Sequence, residues 1–329
     1  MVRVAVAGGT SPTLGRSIVT ALLATGKHDV LVLSRQKSDS KVHNNSVYGA
    51  PISYVDYGST DSLTSALKGI HTLISVLKVN DPMAMISYHS NLLKSCISAK
   101  VSRYAPSDWS MGPSSHSKVD LLAHKDRLWQ DCQEIGIKNG IECASFHNGM
   151  FMNYLAQGKL TCPAEDEQFA LGGLEDDLML QYIDIPHGKL VIPIDNQGHS
   201  SPTSMTHIGD IGTFVAAAVD LPPGQWTGHL GMVGDTCTFQ HVKHLLTEVG
   251  IQVQHETITA DQCDEKIRDL DEQLARGFNI GALKGKMVAQ MLKVQCEGQF
   301  GGSVFESSLN RLCPQVKPVK ISEFIQRVY

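Results

Sequence analysis

Several things are missing from this sequence, and each absence removes a class of protein. No stretch approaches the ~18 apolar residues that a membrane-spanning helix requires, so no span is expected. No basic, then apolar, then cleavable leader is readable ahead of the strand-like run that begins at Val2. The eight cysteines (Cys96, Cys132, Cys143, Cys162, Cys237, Cys263, Cys296, Cys313) are scattered without a C-x-x-C pair and read as reduced thiols. Charge of one sign is also lacking: 28 basic and 33 acidic residues are mixed along the chain, for a net charge of -5. That balance gives no electrostatic footprint for nucleic acid or anionic lipid. Internal repeats, low-complexity tracts and heptad runs are absent as well. The expectation is a cytoplasmic protein, monomer or homodimer, that meets small molecules rather than nucleic acid or membrane.

What is present is ordinary globular material in an alternating order. The 329 residues are 42% hydrophobic and 19% charged, enough for one large α/β domain or a sheet with a smaller module. Val2 to Ala7 is a short β-branched run that ends in Gly8-Gly9, and Leu14, Ile18 and Leu22 then recur at helical spacing. Further strands are read at Asp29 to Leu33, Ile52 to Val55, Thr72 to Val76, Arg103 to Ala105 and Ile141 to Phe146. Helices are read between them at Asp61 to Leu67, Met83 to Ala99 and Leu121 to Ile135. This rhythm predicts a Rossmann-type, doubly wound parallel sheet over residues 1–150. After residue 150 the rhythm loosens, and only His207 to Leu221 and Phe239 to Val249 read clearly as helices. Residues 151–329 are expected to form a smaller α/β substrate-binding part, with about 200–235 returning to the main sheet.

The turn after the first strand, Gly8-Gly9-Thr10-Ser11-Pro12-Thr13-Leu14-Gly15, is the first chemical feature. A dinucleotide site uses glycines here for a tight turn, for close approach of backbone to the pyrophosphate, and for close packing of helix on strand. The middle glycine is missing, because that position is Pro12 or Ser11 depending on the count. A hydroxyl of Thr10, Ser11 or Thr13 is therefore expected to supply one phosphate contact. After the second strand comes Ser34-Arg35-Gln36-Lys37, with no carboxylate for a ribose 2′-hydroxyl and two cations, Arg35 and Lys37, for a 2′-phosphate. NADPH is the expected cofactor. Gly8, Gly9, Thr10, Ser11, Thr13, Leu14, Gly15, Arg35, Lys37, Ser75 and Val76 are its expected contacts.

A tyrosine followed by lysine at i+4, the acid pair of conventional short-chain dehydrogenases, occurs nowhere among the eight tyrosines. Five pieces instead stand in order: Ala7-Gly8-Gly9-Thr10 with Gly15-Arg16; Leu33-Ser34-Arg35; Arg103-Tyr104-Ala105-Pro106-Ser107-Asp108-Trp109; Lys125 with Gly136-Ile137 beyond it; and Thr206-His207-Ile208-Gly209-Asp210-Ile211-Gly212. Over roughly residues 2–220 this combination resembles the isoflavone reductase-like and NmrA-like group of atypical short-chain dehydrogenases, including its fungal secondary-metabolism members.

The resemblance implies that Lys125 is the catalytic lysine, facing the nicotinamide ribose and the substrate. An ammonium in such a shielded, cationic cleft is expected to have a lowered pKa and to exchange protons near neutrality. The family's Pro-Ser-Glu-Phe-Gly stretch corresponds to Ser107, Asp108 and Trp109, with aspartate and tryptophan in place of glutamate and phenylalanine. These residues, with His147, Asn148 and Phe151 after the sixth strand, are expected to line the substrate pocket, and His147 is expected to titrate in a useful range. Gly136 to Ile141 reads as longer than the family's turn. His241 and His244 share a helix face, but no further ligands stand at metal spacing, so no metal is expected. The leading function is NADPH-dependent reduction of a small aromatic metabolite at a conjugated C=C, quinone methide, imine or carbonyl. A dinucleotide-sensing regulator of the NmrA type and a non-redox isomerase or cyclase are the alternatives.

Overall fold

The computed structural model describes residues 2–35, 45–156 and 178–329; Lys37 and Cys162 lie outside them. The chain opens with β1 (Val2–Ala7), α1 (Leu14–Ala24), β2 (His28–Ser34), β3 (Ser46–Val47), β4 (Ala50–Tyr54) and α2 (Thr60–Ala66). It continues with β5 (Thr72–Ser75), α3 (Pro82–Ala99), β6 (Arg103–Ala105), α4 (Ala123–Asp131) and β7 (Glu142–His147). Strand β1 lies between β2 and β5 in parallel register, with Val4 opposite Val30 on one side and Thr72 on the other. Because Val4, Ala5, Val6 and Ala7 are all fully buried, β1 is apolar without alternation, the pattern of a strand covered on both faces.

The side-chain period of two then sorts the core. Val4, Val6, Val32 and Ile74 pack with Ile18, Leu22, Phe214 and Trp226 on one face, while Ala5, Ala7, Leu33 and Leu73 pack with Leu63, Leu92, Leu93 and Leu128 on the other. Further along come β8 (Met150–Phe151), β9 (Ile183–Asp184), β10 (Lys189–Ile194), β11 (Pro202–Thr206), α5 (Ile208–Val219) and β12 (Gly228–Gly231). Helix α5 docks on α1: Ser17 Oγ donates to Ile208 O at 2.5 Å and accepts from Gly212 N at 3.2 Å. Strand β12 then adds to the edge of the main sheet beside β7, giving eight strands in the order β12-β7-β6-β5-β1-β2-β4-β3. All neighbours are parallel except β3 and β4.

The remaining elements are β13 (Asp235–Thr238), α6 (Phe239–Glu248), β14 (Gln254–Thr259), α7 (Ala260–Arg276), α8 (Ile280–Cys296), α9 (Ser308–Leu312) and α10 (Ile321–Val328). They build two three-stranded sheets, β14-β10-β9 and β13-β11-β8, around a separate core containing Leu190, Ile192, Phe239, Leu246, Ile258 and Phe324. No helix of the described residues is long and apolar enough to cross a membrane.

Two expectations need correction. The helix read over Leu121 to Ile135 is α4 followed by a π-turn at Cys132–Gly136 and a 3₁₀ turn at Ile137–Asn139, so the apparently long connection to β7 is a continuation of the helix. The second half also holds two 17-residue helices, α7 and α8, that were not read.

Candidate active site

Strands β1, β5, β6 and β7 run parallel, so their carboxyl ends share one rim, the side where open α/β sheets bind ligands. At the end of β1 the chain turns through Gly8, whose φ of +78° favours glycine. Its N–H donates to Leu33 O at 3.0 Å and to Tyr57 Oη at 3.2 Å, and the Tyr57 hydroxyl donates in turn to Leu33 O at 3.0 Å. Gly15 marks the closest approach: a Cβ there would stand 2.8 Å from the Gly9 carbonyl carbon and oxygen, so the start of α1 rests directly on the turn. The hydroxyls of Ser11 and Thr13 lie 3.0 Å apart at its rim. Thr13, the residue at the helix start, gives no side-chain cap, and Leu14 opens the first turn. Tyr48 reaches over from the β3–β4 hairpin to donate to Thr10 O at 3.3 Å and covers the Arg16 guanidinium. Arg35 is exposed beyond β2.

The turn and the candidate catalytic group are joined by a short run of contacts. Gly8 abuts the Val76 carbonyl, a Cβ there lying 3.1 Å from it. Ser75 is buried, its Oγ 3.3 Å from His89 Nε2, and its carbonyl accepts from Trp109 Nε1 at 2.7 Å. Next to it Ser107 Oγ donates to Leu77 O at 2.9 Å, and Lys125 Nζ donates to Ser107 O at 3.5 Å and to Asp108 O.

Asp108 is the hub. Its side chain is 3% exposed; Oδ1 accepts from Ser110 Oγ at 2.9 Å and lies 3.0 Å from His116 Nε2 and 3.8 Å from Lys125 Nζ. Oδ2 accepts from Ser145 Oγ and lies 3.7 Å from His147 Nε2. Burial by itself would raise this carboxyl, but His147, the hydrogen bond with His116 and the Lys125 charge together hold it well below the usual carboxylate range. Asp108 is thus a permanent anion near neutral pH. Burial also pushes the Lys125 ammonium down, with Asp108 opposing. A lysine in this setting gives up its proton more readily than a solvated one.

His147 departs from its expected behaviour. Burial lowers it to about 4, Asp108 pulling the other way, so the ring is neutral near pH 7 and does not titrate in the range expected of it. Its Nδ1 donates to Met111 O at 3.0 Å, which leaves Nε2 to face His229 Nδ1 at 2.9 Å. Asn148 is buried, with its N–H bonded to Ser110 O at 3.1 Å and its Nδ2 to Gly149 O at 2.8 Å. Phe151 packs against Tyr154, ring centroids 5.8 Å apart. Trp109, at φ +28°, stacks on Phe146 at 5.5 Å.

The structure therefore brings Ser107, Asp108, Lys125 and His147 into one cluster and puts Trp109 between it and the end of β5. It adds residues that the sequence did not single out: His116, Asp126, Ser110, Ser145 and His229 around Asp108, and Tyr48 and Tyr57 around the glycine turn. His229, Ser145, Tyr48 and Tyr57 are brought in by strands and turns distant in sequence, while Ser110 and Asp126 stand beside predicted residues but carry no pattern of their own. The whole arrangement holds one ionised carboxylate and one ammonium beside a glycine turn, a pairing suited to moving a proton next to a bound nucleotide.

The comparisons agree with this architecture. The model of the NmrA-like family matches residues 2–325. The oxidoreductase BOA1 of Botryotinia fuckeliana is 30% identical over 249 residues, 76% of either chain. The oxidoreductase swnN of Metarhizium robertsii is 23% identical over 273 residues, 76% of this chain and 74% of its own. Among solved structures, AtPrR2 with NADP+ and (+)-pinoresinol superposes with a TM-score of 0.70 at 18% identity, over 100% of this chain and 99% of that one. Isoflavone reductase gives 0.70 at 15% over 99% of both chains, and the Citrobacter triphenylmethane reductase complexed with NADP(H) gives 0.66 at 17%, over 99% of this chain and 100% of that one. The chain belongs to the NmrA-like family, among relatives that are oxidoreductases.

Proposed function

We propose that this protein is an NADPH-dependent reductase of a small aromatic metabolite, with Lys125 managing the proton. The observation that carries the reading is the Lys125–Asp108 pair, 3.8 Å apart and largely buried, joined through Ser107 to Leu77, next to the Val76 carbonyl that abuts the glycine turn. The turn fits a dinucleotide: Gly15 leaves no room for a side chain between helix and loop, and the Ser11 and Thr13 hydroxyls stand where the middle glycine is missing. The described end of β2 offers Arg35 and no carboxylate, which favours a 2′-phosphate over a free 2′-hydroxyl. When bound, NADPH supplies the hydride.

The protein's own residues do the rest. Gly8, Gly9, Thr10, Ser11, Thr13, Leu14 and Gly15 take the pyrophosphate side, and Ser75 and Val76 form the wall next to it. Lys125 Nζ, held by the Ser107 and Asp108 carbonyls, delivers a proton to the substrate atom that develops negative charge. Asp108 keeps the ammonium form available despite burial. Trp109 and Phe151 offer apolar ring surface suited to an aromatic substrate, and Asn148 and His147 fix the loop beyond β7. Names of neighbours of the same fold, from pinoresinol to triphenylmethane and isoflavone reductases, support the aromatic class.

The test is spectrophotometric: oxidation of NADPH with a panel of aromatic enones, quinone methides, cyclic imines and quinones. The wild type is expected to turn over at least one class, and Lys125→Ala to lose about 100-fold or more in kcat. Turnover that survives the substitution removes Lys125 from the chemistry. Tight dinucleotide binding without turnover of any class would favour a sensor. For the cofactor, Arg35→Ala is expected to weaken NADPH but not NADH; equal weakening of both contradicts the 2′-phosphate assignment.

A further inference from the structure

Reduction of a neutral acceptor by hydride consumes a proton, and a lysine that gives one up must be recharged. Lys125 is 12% exposed and its partner Asp108 only 3%, so recharging in a closed complex needs a route through the protein. Two rings touch Asp108, and their bonding differs in one respect. His147 uses Nε2 toward both Asp108 (3.7 Å) and His229 (2.9 Å), while its Nδ1 is tied to the Met111 carbonyl, which can only accept. A proton entering that ring at Nε2 has to leave by the same atom. His116, fully buried, presents Nε2 to Asp108 Oδ1 at 3.0 Å and Nδ1 to Asp126 Oδ1 at 2.9 Å. It has a carboxylate at each end, and Asp126, in the first turn of α4, is 46% exposed. A proton can enter at one nitrogen of this ring and leave from the other.

We propose that His116 and Asp126 are positioning residues forming a proton path from solvent to the buried Asp108–Lys125 pair. The inference rests on the reductase reading for its purpose, although the path itself is a property of the protein. After Lys125 has given its proton to the substrate, its neutral amine takes one relayed through Asp108 Oδ1 from His116 Nε2–H. As His116 gives up its Nε2 proton its Nδ1 takes one from Asp126, and Asp126 takes one from water. Per turnover one hydride and one solvent proton are consumed; Lys125, Asp108 and Asp126 return to their starting states, while His116 is left as the Nδ1–H tautomer and must exchange back to Nε2–H, by a turn of its ring, before the next cycle. Asp108 remains the anion between the two groups: Oδ1 faces both His116 Nε2 at 3.0 Å and Lys125 Nζ at 3.8 Å, so it takes the proton from one only as it hands it to the other.

The same donors invite a different reading, because ligand atoms of Asp108, His116 and His147 lie within 4.8 Å of one another, close enough to surround a metal ion. The surroundings favour protons: the Ser110 and Ser145 hydroxyls already donate to the two oxygens of Asp108, and an ammonium stands 3.8 Å from one of them.

The experiment compares wild type, His116→Gln and Asp126→Asn as full-length NADP+ complexes. Exchange of the Lys125 Nζ protons with water is followed by NMR, and kcat and KM are measured with the substrate that emerges from the panel. Both variants are expected to slow the exchange, and to lower kcat, by about tenfold or more with KM unchanged. Asp126 is half-exposed, so its variant remains informative where His116→Gln fails to fold. Unchanged exchange in Asp126→Asn overturns the path. Stoichiometric zinc in the purified wild type, lost from His116→Gln, overturns it in favour of a metal centre. Slowed exchange in a protein that reduces nothing on the panel supports the path and counts against the reductase reading instead.

Discussion

At His147 a histidine placed by the sequence in the substrate pocket turns out to be held neutral by burial, with Asp108, His229 and Ser145 around it. Its folded-state pKa of about 4 lies below the ordinary value of 6.5, so between those pH values the unfolded chain binds the additional proton. Stability therefore rises with pH across that window and is lost as pH falls through it. Buried His89, lowered to about 3, acts with the same sign. We expect the urea midpoint to drop between pH 6.5 and 4, with about 3 kcal/mol attributable to His147, and the pH slope to flatten in His147→Gln. An equal slope in that variant would show that other groups dominate acid unfolding. Some of this cluster could be read from residue types in order: Ser107, Asp108, Lys125 and His147 follow strand ends or sit on the helix that returns to the sheet. His116 could not, because its contact with Asp108 depends on the 3₁₀ turn Pro113–Lys118. Asp126, next to Lys125, has the spacing of a solvated helix residue.

Among the elements, the β1–α1 junction shows how little slack the nucleotide end of the fold has. Gly15→Ala would put a methyl 2.8 Å from the Gly9 backbone and push α1 away from the turn. Overpacking of this kind costs about 1–3 kcal/mol. The expected outcome is a lower melting temperature and an NADPH affinity at least several-fold weaker, measured by thermal unfolding and fluorescence titration. Wild-type affinity in the variant would mean that the turn is not a phosphate cradle. The first half of the fold was legible because each parallel strand is a short apolar run and each helix has a clear stripe. Helix α7 did carry a stripe, Cys263, Ile267, Leu270 and Leu274, behind the capping box of Thr259 and Gln262, yet it is so polar otherwise that loop-like composition masked it. In α8 the apolar positions spread around the helix, since Ala289 through Leu292 and Val294 through Cys296 are all buried. The π-turn after α4 was invisible for a different reason: an added backbone residue leaves the local composition unchanged.

Across the whole molecule, the main sheet is not made from one continuous piece of chain. Strand β7 needs β12 beside it, α1 needs α5, and Arg103 at the start of β6 donates to the carbonyls of Val219, Leu221 and Pro222. A fragment ending at residue 150 would leave Phe146 without Trp226, its edge-on ring partner at 5.2 Å. We expect that fragment to lack cooperative unfolding and dispersed NMR signals, and an independently folded fragment would contradict this account of the sheet.

The loop that bears His116 has its own remote support. Gly112 N–H donates to Gly302 O at 2.8 Å, and a Cβ on Gly112 would meet Phe305, which also lies 6.3 Å from the His147 ring. A polypeptide emerges from the ribosome amino end first. The glycine turn and Lys125 are therefore made long before Gly302 and Phe305, which support the loop that bears His116. That loop gains its support only when nearly the whole chain has been made, so the geometry around Asp108 is completed near the end of translation.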